Sequence, residues 1–91
     1  MDSEKLIERK LVEGVKTRGG WCVKFYSAYQ RGVPDRIVLM PGGRIYFVEL
    51  KSTGKKPTKL QMLCISKLRS LGFSVEVIDT IQGLNDFLDR L

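Results

Sequence analysis

Histidine is absent from all 91 residues, and that absence removes every mechanism built on imidazole, including serine triads, histidine-based nucleases and most zinc hydrolases. A catalytic metal in this chain must therefore be held by oxygen ligands, which favours Mg2+ or Mn2+. Cysteine is scarce too: Cys22 lies in an apolar strand-like run and Cys64 on the apolar stripe of a helix. Two cysteines without a secretion signal make a disulfide framework or a zinc site a poor reading, and both are most simply small core residues. No stretch approaches the roughly 20 apolar residues of a membrane span, and the charged N-terminus lacks the apolar segment of a secretory signal. The expectation is a cytoplasmic protein with no membrane partner and no small-molecule cofactor.

Acidic residues are the minority. Sixteen Lys and Arg against ten Asp and Glu give a formal charge of +6, which suits a polyanionic partner and makes its binding salt-dependent. Nucleic acid is the best single partner for such a surface, although charge alone does not separate DNA from RNA. The apolar content, 43%, is that of a globular protein, and the length allows one small domain over residues 1–91 with one modest core.

Within that domain, Arg36 to Met40 (RIVLM) and Arg44 to Leu50 (RIYFVEL) are β-branched and aromatic runs separated by Pro41-Gly42-Gly43. They read as a tight antiparallel hairpin. A three-residue loop sets Met40 opposite Arg44, Ile37 opposite Phe47 and Asp35 opposite Glu49. Asp35, Ile37, Leu39, Ile45, Phe47, Glu49 and Lys51 then share one face. Opposed Cβ atoms lie about 4.5–5.5 Å apart, a span that two carboxylates bridge with one cation. Without a cation the two acids repel, on a face where they are poorly hydrated. The bland alternative is that Asp35 caps a loop and Glu49 pairs with Lys51; the Pro-Asp, the register and the apolar company favour the metal. A one-residue slip in the turn would put Leu50 opposite Asp35 and disperse the site.

Elsewhere the pattern predicts a helix from Ser3 to Arg18, with Leu6, Ile7, Leu11, Val12 and Val15 on its apolar stripe and Gly19-Gly20 as its stop. Glu8 falls inside that stripe and needs a partner, unless it simply stays wet in a fraying first turn; Glu4 lies on the same arc and fits that second description better. Trp21 to Tyr26 reads as a short strand whose only charge is Lys24, and Ser27 to Pro34 as a loop. Ser52 to Lys59 is a basic loop with Lys55, Lys56 and Lys59 near the acids, either solvated surface or a hold on nucleic acid backbone. Thr58 starts a second helix with Leu60, Cys64, Leu68 and Leu71 on one face, and Gln61 stands at capping-box spacing. Phe73 to Ile78 is a final strand. Thr80 to Leu91 is a closing helix with Ile81, Leu84, Phe87, Leu88 and Leu91 inward. The order α-β-β-β-α-β-α predicts an α/β fold, a mixed sheet of about four strands covered by helices, the last strand parallel to its neighbour through the crossover helix.

Ile7-Glu8 with Leu11, Gly32-Val33-Pro34-Asp35-Arg36, Phe47-Val48-Glu49-Leu50-Lys51, Gln61 and Gly72, taken in this order and spacing, resemble the PD-(D/E)xK nuclease superfamily. Within it they resemble the small stand-alone phage type of the virus-type replication-repair nuclease (VRR-NUC) family. The resemblance covers nearly the whole chain and implies a restriction-endonuclease-like core. It implies Asp35 and Glu49 as metal ligands with the backbone carbonyl of Leu50, and Glu8 reaching the metal directly or through water. Lys51 would position or deprotonate the attacking water, and Gln61 would support the site or touch substrate. Lys24, Arg31, Arg36, Lys55, Lys56 and Lys59 are the candidate nucleic-acid contacts. The family further implies homodimers that act on branched or structured DNA such as four-way junctions, in the cytoplasm of a host cell if the chain is phage-encoded. Lys51 beside a cation loses its proton more readily, yet it serves equally as a charged stabiliser of the transition state.

The rivals to an Mg2+- or Mn2+-dependent endodeoxyribonuclease are a nucleic-acid-binding adaptor of the same fold that cuts nothing, and a nuclease directed at RNA. Basic charge serves all three. Converging acids and a lysine serve only the cutting enzymes.

Overall fold

Caps and glycines in the sequence set where the elements start and stop. The computed structural model describes residues 1–91. Helix α1 (Glu4–Thr17) begins at Ser3, whose hydroxyl accepts the Leu6 N–H. It ends in a Schellman turn, with Gly19 at φ 81°, the Gly19 N–H on the Lys16 carbonyl and the Gly20 N–H on the Val15 carbonyl. Strands β1 (Trp21–Lys24), β2 (Arg36–Met40) and β3 (Arg44–Leu50) follow, with a single 3-10 turn, Pro41–Gly43, joining β2 to β3. Helix α2 (Lys59–Ser70) starts with a capping box formed by Thr58 and Gln61. A second Schellman turn closes it, with Gly72 at φ 94° and the Phe73 N–H on the Leu68 carbonyl. Strand β4 (Ser74–Ile78) and helix α3 (Ile81–Asp89) complete the chain.

The four strands form one sheet in the order β1-β2-β3-β4. The first three are antiparallel, and β4 joins β3 in parallel after the crossover through α2. The hairpin has the register that its three-residue turn dictates: Met40 opposite Arg44, Leu39 opposite Ile45, Ile37 opposite Phe47.

The two faces of the sheet are unequally covered. On one face α1 and α3 enclose a cluster of twelve buried residues, among them Ile7, Leu11, Val15, Val38, Val48, Leu50, Leu84 and Phe87. On the other, α2 rests on a cluster of only three, Phe47, Ile65 and Val75, with Phe25, Ile37 and Leu68 partly buried beside it. At about 1.5–3 kcal/mol per fully buried large apolar side chain, the first face supplies most of the folding energy.

Helix α2 departs from the sequence expectation here. Its buried residue is Ile65, whereas Leu60 and Leu71 are 43% and 65% exposed. The stripe through Leu60, Cys64, Leu68 and Leu71 has helical spacing, but only its Leu68 edge meets the sheet. Strand β1 is also shorter than expected, ending at Lys24 and leaving Tyr26 in solvent. No helix is long and apolar enough to cross a membrane.

Candidate metal centre and nucleic-acid surface

The β2–β3 ladder runs from Met40–Arg44 to Arg36–Val48 and stops. Asp35 stands one residue beyond it, positioned by buried Pro34, and closes the parting strands with its side chain: Oδ2 accepts the Leu50 N–H at 2.8 Å. The acid therefore does the work of the next ladder bond. Beyond that point β3 continues against β4, with Glu49 beside Val77 and Leu50 beside Ile78.

Glu49 is the one buried charged residue of the chain, at 1% exposure. Its Oε2 lies 3.5 Å from the Lys51 ammonium, and its Oε1 is buried with no hydrogen-bond partner. Burial, and then the negative charge of Asp35, push its pKa up to about 7 against the pull of Lys51. A buried acceptor without a donor is costly. Here the charge of a second carboxylate, that of Asp35, bears on it, and the acceptors on offer are carboxylate oxygens. That donor chemistry fits a hard divalent cation, which would satisfy Oε1 and cancel the repulsion at once. The register argument from the sequence thus leads to two acids and a lysine gathered at one end of the hairpin.

Glu8 is held by an ion pair. Its Oε2 accepts from the Arg36 Nε at 2.9 Å, and the Arg36 guanidinium also donates to the Cys22 carbonyl at 3.3 Å. No three acidic groups converge into a ready cage. The buried-face acid did need a partner, and the partner is an arginine from the neighbouring strand. Arg36, read from the sequence as a nucleic-acid contact, has a side chain only 15% exposed, with Nε and one terminal nitrogen engaged within the protein. Gln61 is committed as well: its Oε1 accepts the Thr58 N–H at 2.8 Å and closes the capping box. The acid that sequence reasoning passed over is Glu4, whose charge contributes, as the least of the causes, to the raised pKa of Glu49. Its position on the same helical arc as Glu8, one turn nearer the helix start, was the available signal.

Lys24, Arg31, Lys55, Lys56 and Lys59 are all exposed. The loop bearing Lys55 and Lys56 is held in place by its neighbours: Thr53 and Asp2 exchange hydrogen bonds, the Thr53 hydroxyl donates to the Asp79 carbonyl at 2.8 Å, and the Gly54 N–H meets the Asp79 carboxylate at 3.1 Å. No pattern in the sequence announced Asp2, whose carboxylate also accepts the Ile81 N–H at 2.8 Å. It ties the starts of α1 and α3 to the basic loop.

A mixed sheet that parts at a Pro-Asp and carries Glu-x-Lys on the adjoining strand defines a PD-(D/E)xK nuclease. The profile of the VRR-NUC domain matches residues 3–80, and the chain belongs to the VRR-NUC family. It is 46% identical over 85 residues, 93% of this chain and 90% of the other, to "Putative nuclease p44" of Acyrthosiphon pisum secondary endosymbiont phage 1. A solved structure described as a VRR_NUC domain superposes with a TM-score of 0.89 at 26% identity, covering 94% of both chains. The restriction-endonuclease-like α/β core and the nuclease class are thereby established.

Proposed function

We propose that the chain is a divalent-metal-dependent DNA endonuclease, selective for branched DNA and acting as a homodimer. The observation that carries the metal dependence is the buried, partnerless Glu49 Oε1 next to Asp35. Asp35, Glu49 and the Leu50 carbonyl would hold Mg2+ or Mn2+, with Glu8 contributing through water. When bound, the ion would offset the charge of the scissile phosphate and make a water more acidic.

The remaining roles belong to side chains. Lys51, kept 3.5 Å from Glu49, holds an ammonium beside the reacting phosphate, where it orients the attacking water or steadies developing negative charge. Asp35 fixes the Leu50 backbone through its hydrogen bond. Gln61 supports the site from the head of α2, and Lys24, Arg31, Lys55, Lys56 and Lys59 hold the backbone of the substrate. One such centre cuts one strand, so symmetrical cutting of a four-way junction calls for two subunits about a two-fold axis.

Incubation of junction, flap and linear DNA with Mg2+ or Mn2+ tests this reading. Cleavage that disappears in Asp35→Ala and Glu49→Ala is the expected result. Binding without cleavage, unchanged by those substitutions, would instead make the protein an adaptor, and matched RNA substrates address the RNA-directed alternative.

A further inference from the structure

The segment between β1 and β2 carries two large aromatic side chains that the fold leaves bare. Tyr29 is 100% exposed and Tyr26 85%, and neither belongs to any of the aromatic pairs, which join Phe25, Tyr46, Phe47, Phe73 and Phe87. A slack loop could fold such rings onto apolar surface, but this one is pinned. Ser27 Oγ accepts the Gln30 N–H at 3.0 Å, and Cys64 Sγ on α2 donates to the Arg31 carbonyl at 3.2 Å. Gly32, at φ +82°, sits so close to α2 that a Cβ there would be 2.9 Å from the Leu60 carbonyl oxygen. With Gln30 to Gly32 drawn onto α2, the preceding tyrosine is left facing water.

The position of these rings is informative. The Phe25 N–H bonds to the Asp35 carbonyl at 3.0 Å, so Tyr26 follows the residue that touches a proposed metal ligand. Exposed Lys24 and Arg31 bracket the two tyrosines in the sequence. Interleaved cations and bare aromatic faces are the chemistry that holds single-stranded nucleic acid, the cations on phosphates and the rings on bases. In an intact duplex the bases already stack on one another and offer such rings nothing.

We propose that Tyr26 and Tyr29 form a stacking platform for unpaired bases beside the scissile phosphate, so that the centre selects DNA with single-stranded nucleotides near the cut over uninterrupted duplex. This rests on the nuclease reading above. Stacking is indifferent to base identity, so the selection is for structure and not for sequence.

Fluorescence anisotropy of the full chain, with Ca2+ in place of Mg2+, tests it on three probes: a duplex with a single-stranded overhang, the same DNA with abasic sites throughout the overhang, and a blunt duplex. Tyr29→Ala, alone and with Tyr26→Ala, is expected to weaken binding to the overhang probe about five-fold or more. Binding to the abasic and blunt probes should not change, and the salt slope should stay at its wild-type value because no cation has been removed. Tyr29→Phe, which keeps the ring, should bind as wild type. Equal loss on all three probes would overturn the proposal, as would unchanged binding to the overhang. So would conversion of a dimer to a monomer in sedimentation, which would mark the rings as a subunit contact continuous with the adjoining groove of about 500 Å³ lined by Leu60, Leu63 and Leu71. A wild-type chain that binds none of the probes and cuts no DNA overturns the nuclease reading itself, whereas cleavage with indifferent tyrosine variants overturns this inference alone.

Discussion

Glu49 is held where its own charge is unwelcome, and that has consequences for stability that are separate from catalysis. The folded chain keeps its proton up to about pH 7, against an ordinary value of 4.5. In the metal-free protein this one group's contribution to stability is therefore complete below that window and falls by up to about 3 kcal/mol as the pH rises through it. Glu49→Gln should flatten this profile, raising the melting temperature at pH 8 and leaving it little changed at pH 5, while abolishing cleavage; thermal scans across pH check it. An ion and a proton compete for the same carboxylate, so Mg2+ or Mn2+ should raise the wild-type melting temperature more at pH 8 than at pH 6. The shift should vanish in Glu49→Gln. Asp35 and Glu49 were legible in the sequence because strand alternation and a short turn leave one register. The capture of Glu8 by Arg36 was not, since it depends on the reach of a long side chain between α1 and β2, which periodicity does not describe.

At the scale of elements, caps and glycines were the most readable signals, and the outward face of α2 the least. Its leucine stripe has helical spacing, but burial depends on how much sheet lies beneath, and only Ile65 and the edge at Leu68 find any. The approach of the β1–β2 loop to α2 depends on Gly32, which combines a positive φ with contact at the Leu60 backbone. Gly32→Ala should cost about 1–3 kcal/mol in chemical denaturation and should impair cleavage more than global unfolding alone explains, because the loop leads directly into Asp35. Asp2 ties three segments through one carboxylate and its backbone, although nothing in the local pattern marks it. Asp2→Ala removes the acceptor for the Ile81 N–H and should lower stability by about 1 kcal/mol.

For the whole molecule, charge is the term that sequence alone conveys best. An excess of six positive charges, with Lys55 and Lys56 on a braced loop, predicts steep salt dependence of DNA binding. Replacing both lysines by alanine should reduce the slope of log K against log salt by about two, weakening all DNA forms alike. The dimer expected for symmetrical cutting is checked by light scattering at working concentration; a monomer there would count against resolution of junctions and not against cleavage of a single strand. The uneven covering of the sheet carries one more implication. Twelve buried residues stand behind α1 and α3 and three behind α2, so amide protons of α2 should be traded for deuterium well before those of the two helices opposite. The proposed centre then lies along the seam between the more deeply packed half and the thinner one, and under the proposed function the half beneath α2 is the one expected to give way to an incoming polymer without loosening the rest.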